Sequence, residues 1–415
     1  MTLGLCMIVK DEADVLGRCL QSVAGLFDEI VVADTGSSDG TKDIAARFGA
    51  RVYGFAWQDD FAAARNFSFS KSTADYIAWL DADDVVEPHD LPAWHALKRG
   101  LDGSADAYFL PYRTGIDGRG HASLVYYRER VLRRACRFLW QGAVHEAVAV
   151  RGNAVYGEAA VTHKKPAYRG KAGAGSVNGT AADRMDGTAA GSAGTSRADG
   201  AEGTPAGGTG GDGSCAPQTH ETGGVGRNLR IYARQFAKGA RPTPRDVFYF
   251  ARELAECGLP SAAADVFTHF LQGKGWAENK IEACRGLAAC QRRLGRPAKE
   301  LAALCQSFAY APPRPETCCD LGAFFMRRKD WKQAIFWFKL AVNERSDARN
   351  GAFVCPDCSG YIPYLWMCVC YDRLGDRERA FWCNEQAARF RPDDASVAFN
   401  RRYFARLSGT KPSVP

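Results

Sequence analysis

The sequence predicts an α/β domain on a mainly parallel sheet, followed by an all-helical domain of repeated helix pairs. Three observations carry this. Up to residue 165, short β-rich runs alternate with segments whose apolar residues fall at helical intervals. Between 166 and 226 the composition collapses into Gly, Ala, Ser and Thr. From 227 to about 410, small and aromatic residues recur in register from one helical segment to the next.

In the first domain, LGLCMIV (Leu3 to Val9), EIVVAD (Glu29 to Asp34), RVYGF and YIAWL read as strands. VLGRCLQSVAGL and TKDIAARF between them read as helices. Such alternation argues βαβ units, whose ligands sit at the carboxyl ends of the strands. Asp34 closes one strand, and Asp81, Asp83 and Asp84 close another in YIAWLDADDVVEP, so both acidic points face one crevice. Three like charges within four residues repel, and a basic side chain, a metal ion or open water must compensate them.

The stretch 166–226 cannot bury enough apolar area to offset its ordering entropy, so it is expected to be disordered and to carry no chemistry. In the third segment, LGAFFMRRKDWKQAIFWFKLA aligns on LWMCVCYDRLGDRERAFWCNEQA, with Ala334 on Ala380, Ala341 on Ala387 and Phe325 on Tyr371. CRGLAACQRRLGRPAKELAAL repeats the pattern earlier, and Pro312 matches Pro392. These positions fit the 34-residue tetratricopeptide pattern of paired helices. Three to four units run from about Arg245 to Leu407, with an insertion around Arg345 to Pro356, because the last two stand 46 residues apart.

A formal charge of +7 on 415 residues, without a basic block, argues against a nucleic-acid partner and is compatible with anionic small molecules. No run approaches the 18 or so apolar residues of a membrane helix, so no integral membrane segment is expected. The start, MTLGLCMIVKDEADV, lacks the basic region of a secretory signal. Fifteen cysteines, odd in number and scattered through apolar patterns, suit buried thiols in a reducing, cytoplasmic setting. The CxxC pair of Cys355 and Cys358 has no second pair at zinc-ribbon spacing.

VVADTGSSDGT places Asp34 beside a tight turn, where it can accept hydrogen bonds from a nucleobase or ribose, or simply cap the turn. VHEAV offers His145 and Glu146, but HEAVA lacks the second His of a zinc protease. The series MIVKDE, VVADTGSSDGT, WQDDFAAARN, WLDADD and WQGAVHEAV, in that order, resembles family 2 glycosyltransferases of the GT-A (Rossmann-like) fold. More narrowly it resembles a bacterial branch with C-terminal tetratricopeptide repeats, which includes S-glycosyltransferases of bacteriocin peptides. The resemblance covers roughly 1–165 and 227–405. The glycine-rich tract departs from it by separating VTHKK from RNLRIY, next to His163.

The resemblance implies that Asp34 contacts the nucleoside, that Arg65 or Asn66 lies near the phosphates, and that Asp81 and Asp83 form a DxD motif. A divalent cation on those carboxylates would stabilise the leaving diphosphate and relieve their repulsion, with oxygen ligands favouring Mn²⁺ or Mg²⁺. Glu146 is the expected base, His145 an acceptor or phosphate contact, and His163 a further member of the metal or diphosphate site. The expected activity is inverting transfer of a hexose or N-acetylhexosamine from a UDP-linked sugar to a peptide, protein or cell-envelope glycan. The repeats would hold that acceptor or a second copy in a homodimer. The alternative is a non-catalytic tetratricopeptide scaffold with a degenerate sugar-nucleotide domain.

Overall fold

The computed structural model describes residues 1–164, 226–345 and 347–407. The expectation of disorder for 166–226 therefore falls, apart from Gly226, outside the described residues.

The N-terminal chain runs through β1 (Leu3–Val9), α1 (Ala13–Ser22), β2 (Glu29–Asp34), α2 (Thr41–Arg47), β3 (Arg51–Gly54), α3 (Phe61–Ser70) and β4 (Tyr76–Trp79). It continues through β5 (Asp84–Val85), α4 (Leu91–Arg99), β6 (Ala107–Ile116), β7 (Ala122–Arg133), β8 (Trp140–Gln141), β9 (Ala147–Val148), β10 (Ala154–Tyr156) and β11 (Val161–His163). The main sheet has the order β3-β2-β1-β4-β7-β6-β11-β5, with β10 also on β6. The β3-β2-β1-β4 half is parallel, as expected. Past β4 the sheet turns mixed, because β7 pairs antiparallel with both β4 and β6.

Both faces of β1 are buried, which is why its sequence is a continuous apolar run. Leu3, Leu5, Met7 and Val9 pack with Leu16, Leu20 and Trp94 of α1 and α4. Cys6 on the opposite face joins Val31 and Ile77. Each large side chain so enclosed contributes roughly 1.5–3 kcal/mol, so this core fixes where the carboxyl ends of β2 and β4 emerge.

From residue 226 the described chain is mainly helical: α5 (Arg227–Ala237), α6 (Pro244–Glu256), α7 (Pro260–Gln272), α8 (Ala277–Arg293), α9 (Pro297–Gln306), α10 (Pro315–Arg327), α11 (Trp331–Asn343), α12 (Tyr361–Arg373), α13 (Arg377–Phe390) and α14 (Ala395–Leu407). They pack as the successive pairs α6/α7, α8/α9, α10/α11 and α12/α13, four tetratricopeptide-like units. Local sequence starts the helices sharply. Thr243 and Asp246 form a capping box on α6, and proline opens α6, α7, α9 and α10. Ala334, Ala341, Ala380 and Ala387 are fully buried, as close helix packing requires. No helix among the described residues is long and apolar enough to cross a membrane. The Cys355 and Cys358 thiols are buried and free, and belong to no group of metal-binding side chains among the described residues.

Among the described residues, two regions of the helical part grip the α/β part. Around α5 and α6, Val144 is buried with Ile231, Phe248 and Tyr249, while Trp57, Phe61 and Ala143 pack alongside. Arg234 pairs with Asp59 at 2.6 Å. The insertion between α11 and α12 forms the second region. Val354 bridges Val125 of β7 through paired backbone hydrogen bonds, and Phe353 packs on Tyr126 with ring centroids 5.1 Å apart. Beyond it, Arg391 reaches Asp117 at the tip of the β6–β7 hairpin, 3.2 Å away.

Candidate active site

The carboxylates that end β4 divide into two sets. Asp84 is fully buried with both oxygens hydrogen-bonded. It accepts from Tyr112 Oη at 2.8 Å, Arg130 Nη1 at 3.0 Å and the Asp81 backbone N–H at 3.0 Å. Arg130 is equally buried and lies 3.8 Å from the Trp79 ring centroid and 4.2 Å from that of Tyr112. Asp83 is half-buried, and its Oδ1 stands 3.3 Å from His163 Nδ1, which is also 3.3 Å from Asp84 Oδ1. His163 arrives on β11, directly opposite Asp84 in the β5–β11 register.

Burial alone would lower the His163 pKa, but hydrogen bonds and charge from Asp83 and Asp84 outweigh it and raise it to about 9. Asp83, Asp84 and His163 each offer one ligand atom, all within 4.8 Å of one another. Two carboxylates and an imidazole that gives up its proton suit a borderline divalent cation such as Mn²⁺ better than Mg²⁺.

Asp81 has a different hydrogen-bond partner. Its Oδ1 accepts from Arg65 Nη2 at 2.7 Å, and Arg65 Nε donates to Glu146 Oε1 at 2.6 Å. One guanidinium therefore bridges two acidic side chains from distant parts of the chain. It packs into the corner formed by the edge-to-face rings of Trp79 and Trp140, 4.6 and 4.9 Å from their centroids. Burial would raise the Asp81 pKa, yet Arg65 and Arg130 hold it below the usual carboxylate range. The bridge depends on α3, whose N-terminus is capped by Asp60 accepting from the Ala63 N–H at 2.9 Å. Asn66, one residue on, holds the backbone of β8 instead. Its amide exchanges two hydrogen bonds with the Trp140 main chain, at 3.0 and 2.9 Å.

Asp34 is buried at the end of β2 and accepts from the Gly36 and Ser37 N–H groups at 3.1–3.2 Å, the turn-capping geometry. Across the crevice, Asp11 accepts from Ser38 N–H at 2.7 Å, stitching the start of α1 to that turn. Glu12, in MIVKDE, is raised to about 7, first by burial and then by Asp83 and Asp81. It is thus a further carboxylate beside the cluster. His145 joins none of these groups; its Nε2 lies 2.6 Å from Glu253 Oε1 on α6, and its ring stacks on Tyr249.

The structure thus brings Asp81, Arg65 and Glu146 into one chain of contacts, and Asp83 and His163 into another. Sequence reasoning did not single out Arg130, Tyr112 or Glu253. The first two lie on the β6–β7 hairpin and the third on α6, and none sits in a motif of its own.

Residues 5–150 match the profile of glycosyl transferase family 2. This segment is a family 2 glycosyltransferase domain. A TPR repeat-containing protein of Synechococcus elongatus is 48% identical over 99 residues, covering 24% of each chain. The prophage-derived glycosyltransferase SunS of Bacillus subtilis is 29% identical over 148 residues, covering 35% of this chain and 34% of its own. The chain therefore spans only about a quarter to a third of the length of these relatives. Glucosyl-3-phosphoglycerate synthase from Mycobacterium tuberculosis, solved with Mn²⁺ and UDP-glucose, aligns at 22% identity and a TM-score of 0.24. That alignment covers 27% of this chain and 44% of that one, an overlap too partial to bear on ligands here. In the glycosyltransferase domain, both acidic sets lie at the carboxyl end of β4, where a parallel α/β sheet opens its ligand crevice.

Proposed function

We propose that the chain is a metal-dependent inverting glycosyltransferase that moves a hexose or N-acetylhexosamine from a UDP-linked sugar to a peptide, protein or cell-envelope acceptor. Residues 1–165 would form the transferase domain and 227–410 a repeat domain that serves the acceptor. The observation that carries this reading is the Arg65 bridge. In a family 2 domain, one buried guanidinium ties the DxD carboxylate of Asp81 to Glu146, beside the Asp83, Asp84 and His163 group.

In this reading Asp83 and His163 hold the cation, with Asp84 supporting them from the interior. When bound, the cation supplies Lewis-acid stabilisation to the departing diphosphate. Arg65 fixes Asp81 and Glu146 in one geometry, and its charge faces the same crevice. Glu146, with Oε1 taken by Arg65, uses Oε2 to accept the acceptor's proton. Asp34 and the 35–41 turn contribute the nucleoside side of the pocket. Every cysteine among the described residues is a free thiol, which supports a reducing compartment, the cytoplasm. The scaffold alternative is weakened because the acidic motifs and Arg65 are present and mutually paired.

A hydrolysis and transfer screen over UDP-, GDP- and dTDP-sugars tests the reading. Turnover of a UDP-sugar is expected with Mn²⁺ or Mg²⁺ and should vanish with EDTA. Full turnover in EDTA would exclude the metal, and failure to bind any nucleotide sugar would return the scaffold reading.

A further inference from the structure

The loop that carries Glu146 is bent by two residues in the left-handed region, Gly142 at φ +96° and His145 at φ +51°. For a residue with a Cβ this conformation is disfavoured and persists where the surroundings impose it. The glycosyltransferase domain holds the loop through the β8–β9 pairing that flanks it, the Phe61 N–H donating to the Ala143 carbonyl at 2.9 Å, and Arg128 Nη2 donating to the Glu146 carbonyl at 3.4 Å. The grip on His145 itself comes from one face of α6, where Arg245, Tyr249 and Glu253 follow one another at i, i+4 and i+8. Arg245 Nε donates to the His145 carbonyl at 3.1 Å. Tyr249 stacks on the imidazole, with centroids 4.1 Å apart and planes at 15°. Glu253 Oε1 meets His145 Nε2 at 2.6 Å. Glu253 is itself buried and steadied by Asn228 Nδ2 of α5, which donates to the same oxygen at 3.0 Å.

The next residue is Glu146, and from it the contacts continue without a gap through Arg65 to Asp81. A displacement of the loop therefore moves one end of that bridge. We propose that Glu253, on the first paired helix of the repeat domain, is a positioning residue for the transfer site: through His145 it sets where Glu146 and Arg65 stand. On this account the glycosyltransferase domain does not complete its own site; α6 does. The proposal rests on the glycosyltransferase reading for its catalytic consequence and on geometry alone for its structural one.

The full chain carrying Glu253→Ala and, separately, Glu253→Gln provides the test. Both existing hydrogen bonds to Glu253 converge on Oε1, so the amide oxygen of glutamine can accept both. In Glu253→Ala, kcat for sugar transfer or donor hydrolysis is expected to fall roughly 10- to 100-fold, the scale of a misplaced catalytic group. Donor KM should stay within about twofold of the parent, since removing a purely transition-state contact changes kcat without changing KM. Glu253→Gln should recover most of the lost rate. In parallel, amide hydrogen exchange should rise in 141–147 and around Arg65 in Glu253→Ala, while the body of α6 keeps its protection.

Unchanged exchange in 141–147 would overturn the proposal whatever the activity. So would a rate loss that Glu253→Gln does not recover. If no form turns over a nucleotide sugar but the loop exchange rises in Glu253→Ala, the positioning stands and the glycosyltransferase reading fails.

Discussion

Arg65 is the residue on which the candidate site turns, and its side chain could not be exchanged for another cation. The guanidinium reaches Glu146 through Nε and Asp81 through Nη2 while packed against two indoles that meet edge to face. Lysine offers a single point charge and no planar fork. Arg65→Lys is expected to lower kcat about 10²-fold or more with a modest loss of stability, measured by steady-state kinetics beside a urea titration. Near-parental kcat would remove Arg65 from the chemistry. At this scale the sequence displayed the residue types plainly: the acidic run after YIAWL, the Arg-Asn pair and VHE. It did not display how they divide. Asp81, Asp83 and Asp84 read as equivalent neighbours, and only their partners separate an inward carboxylate bound to Arg130 from an outward one bound to Arg65. Those arginines lie 46 and 16 residues away from their carboxylates, along a chain whose local pattern carries no sign of them.

At the scale of elements, the strongly periodic segments were legible. β1 and β2 span Leu3–Val9 and Glu29–Asp34, the very runs expected from β-rich composition. The β6–β7 hairpin was not anticipated. Pro111 sits inside β6 and argues against a strand, and a register shift between Tyr108 and Phe109 breaks the alternation that would reveal one. This hairpin also turns the sheet from mainly parallel to mixed. In the repeats, small residues mark where helices touch. Gly322 of α10 stands so close to the buried Phe338 ring of α11 that an added Cβ would lie 2.5 Å from it, and a Cβ added at Gly286 of α8 would lie 2.7 Å from Phe267 of α7. Phe338 is fully buried and cannot swing aside. Gly322→Ala is therefore expected to destabilise the protein by about 1–3 kcal/mol through overpacking, despite alanine's better helix propensity. A denaturation midpoint at or above the parent's would show that the pair has slack.

Across the whole molecule, the α/β and helical parts are joined less by sequence adjacency than by surface. The first grip, at α5 and α6, buries Val144 and covers Trp57 and Phe61. The second, at the insertion between α11 and α12, adds backbone pairing to β7. The insertion was visible as an interruption of the repeat spacing, but its docking was not, because a sequence shows that residues have been added and not what they rest against. These two grips mean that the halves should recognise each other without a shared backbone. Residues 1–164 and the remainder from 226, expressed as separate polypeptides in one cell, are expected to co-purify at one to one and elute together in gel filtration. The covalent tie would then mainly raise their effective concentration. Independent elution of two soluble fragments would refute this. The chain is in that sense a heterodimer whose subunits happen to share one polypeptide, and docking of its halves, more than their connection, decides when the site becomes competent.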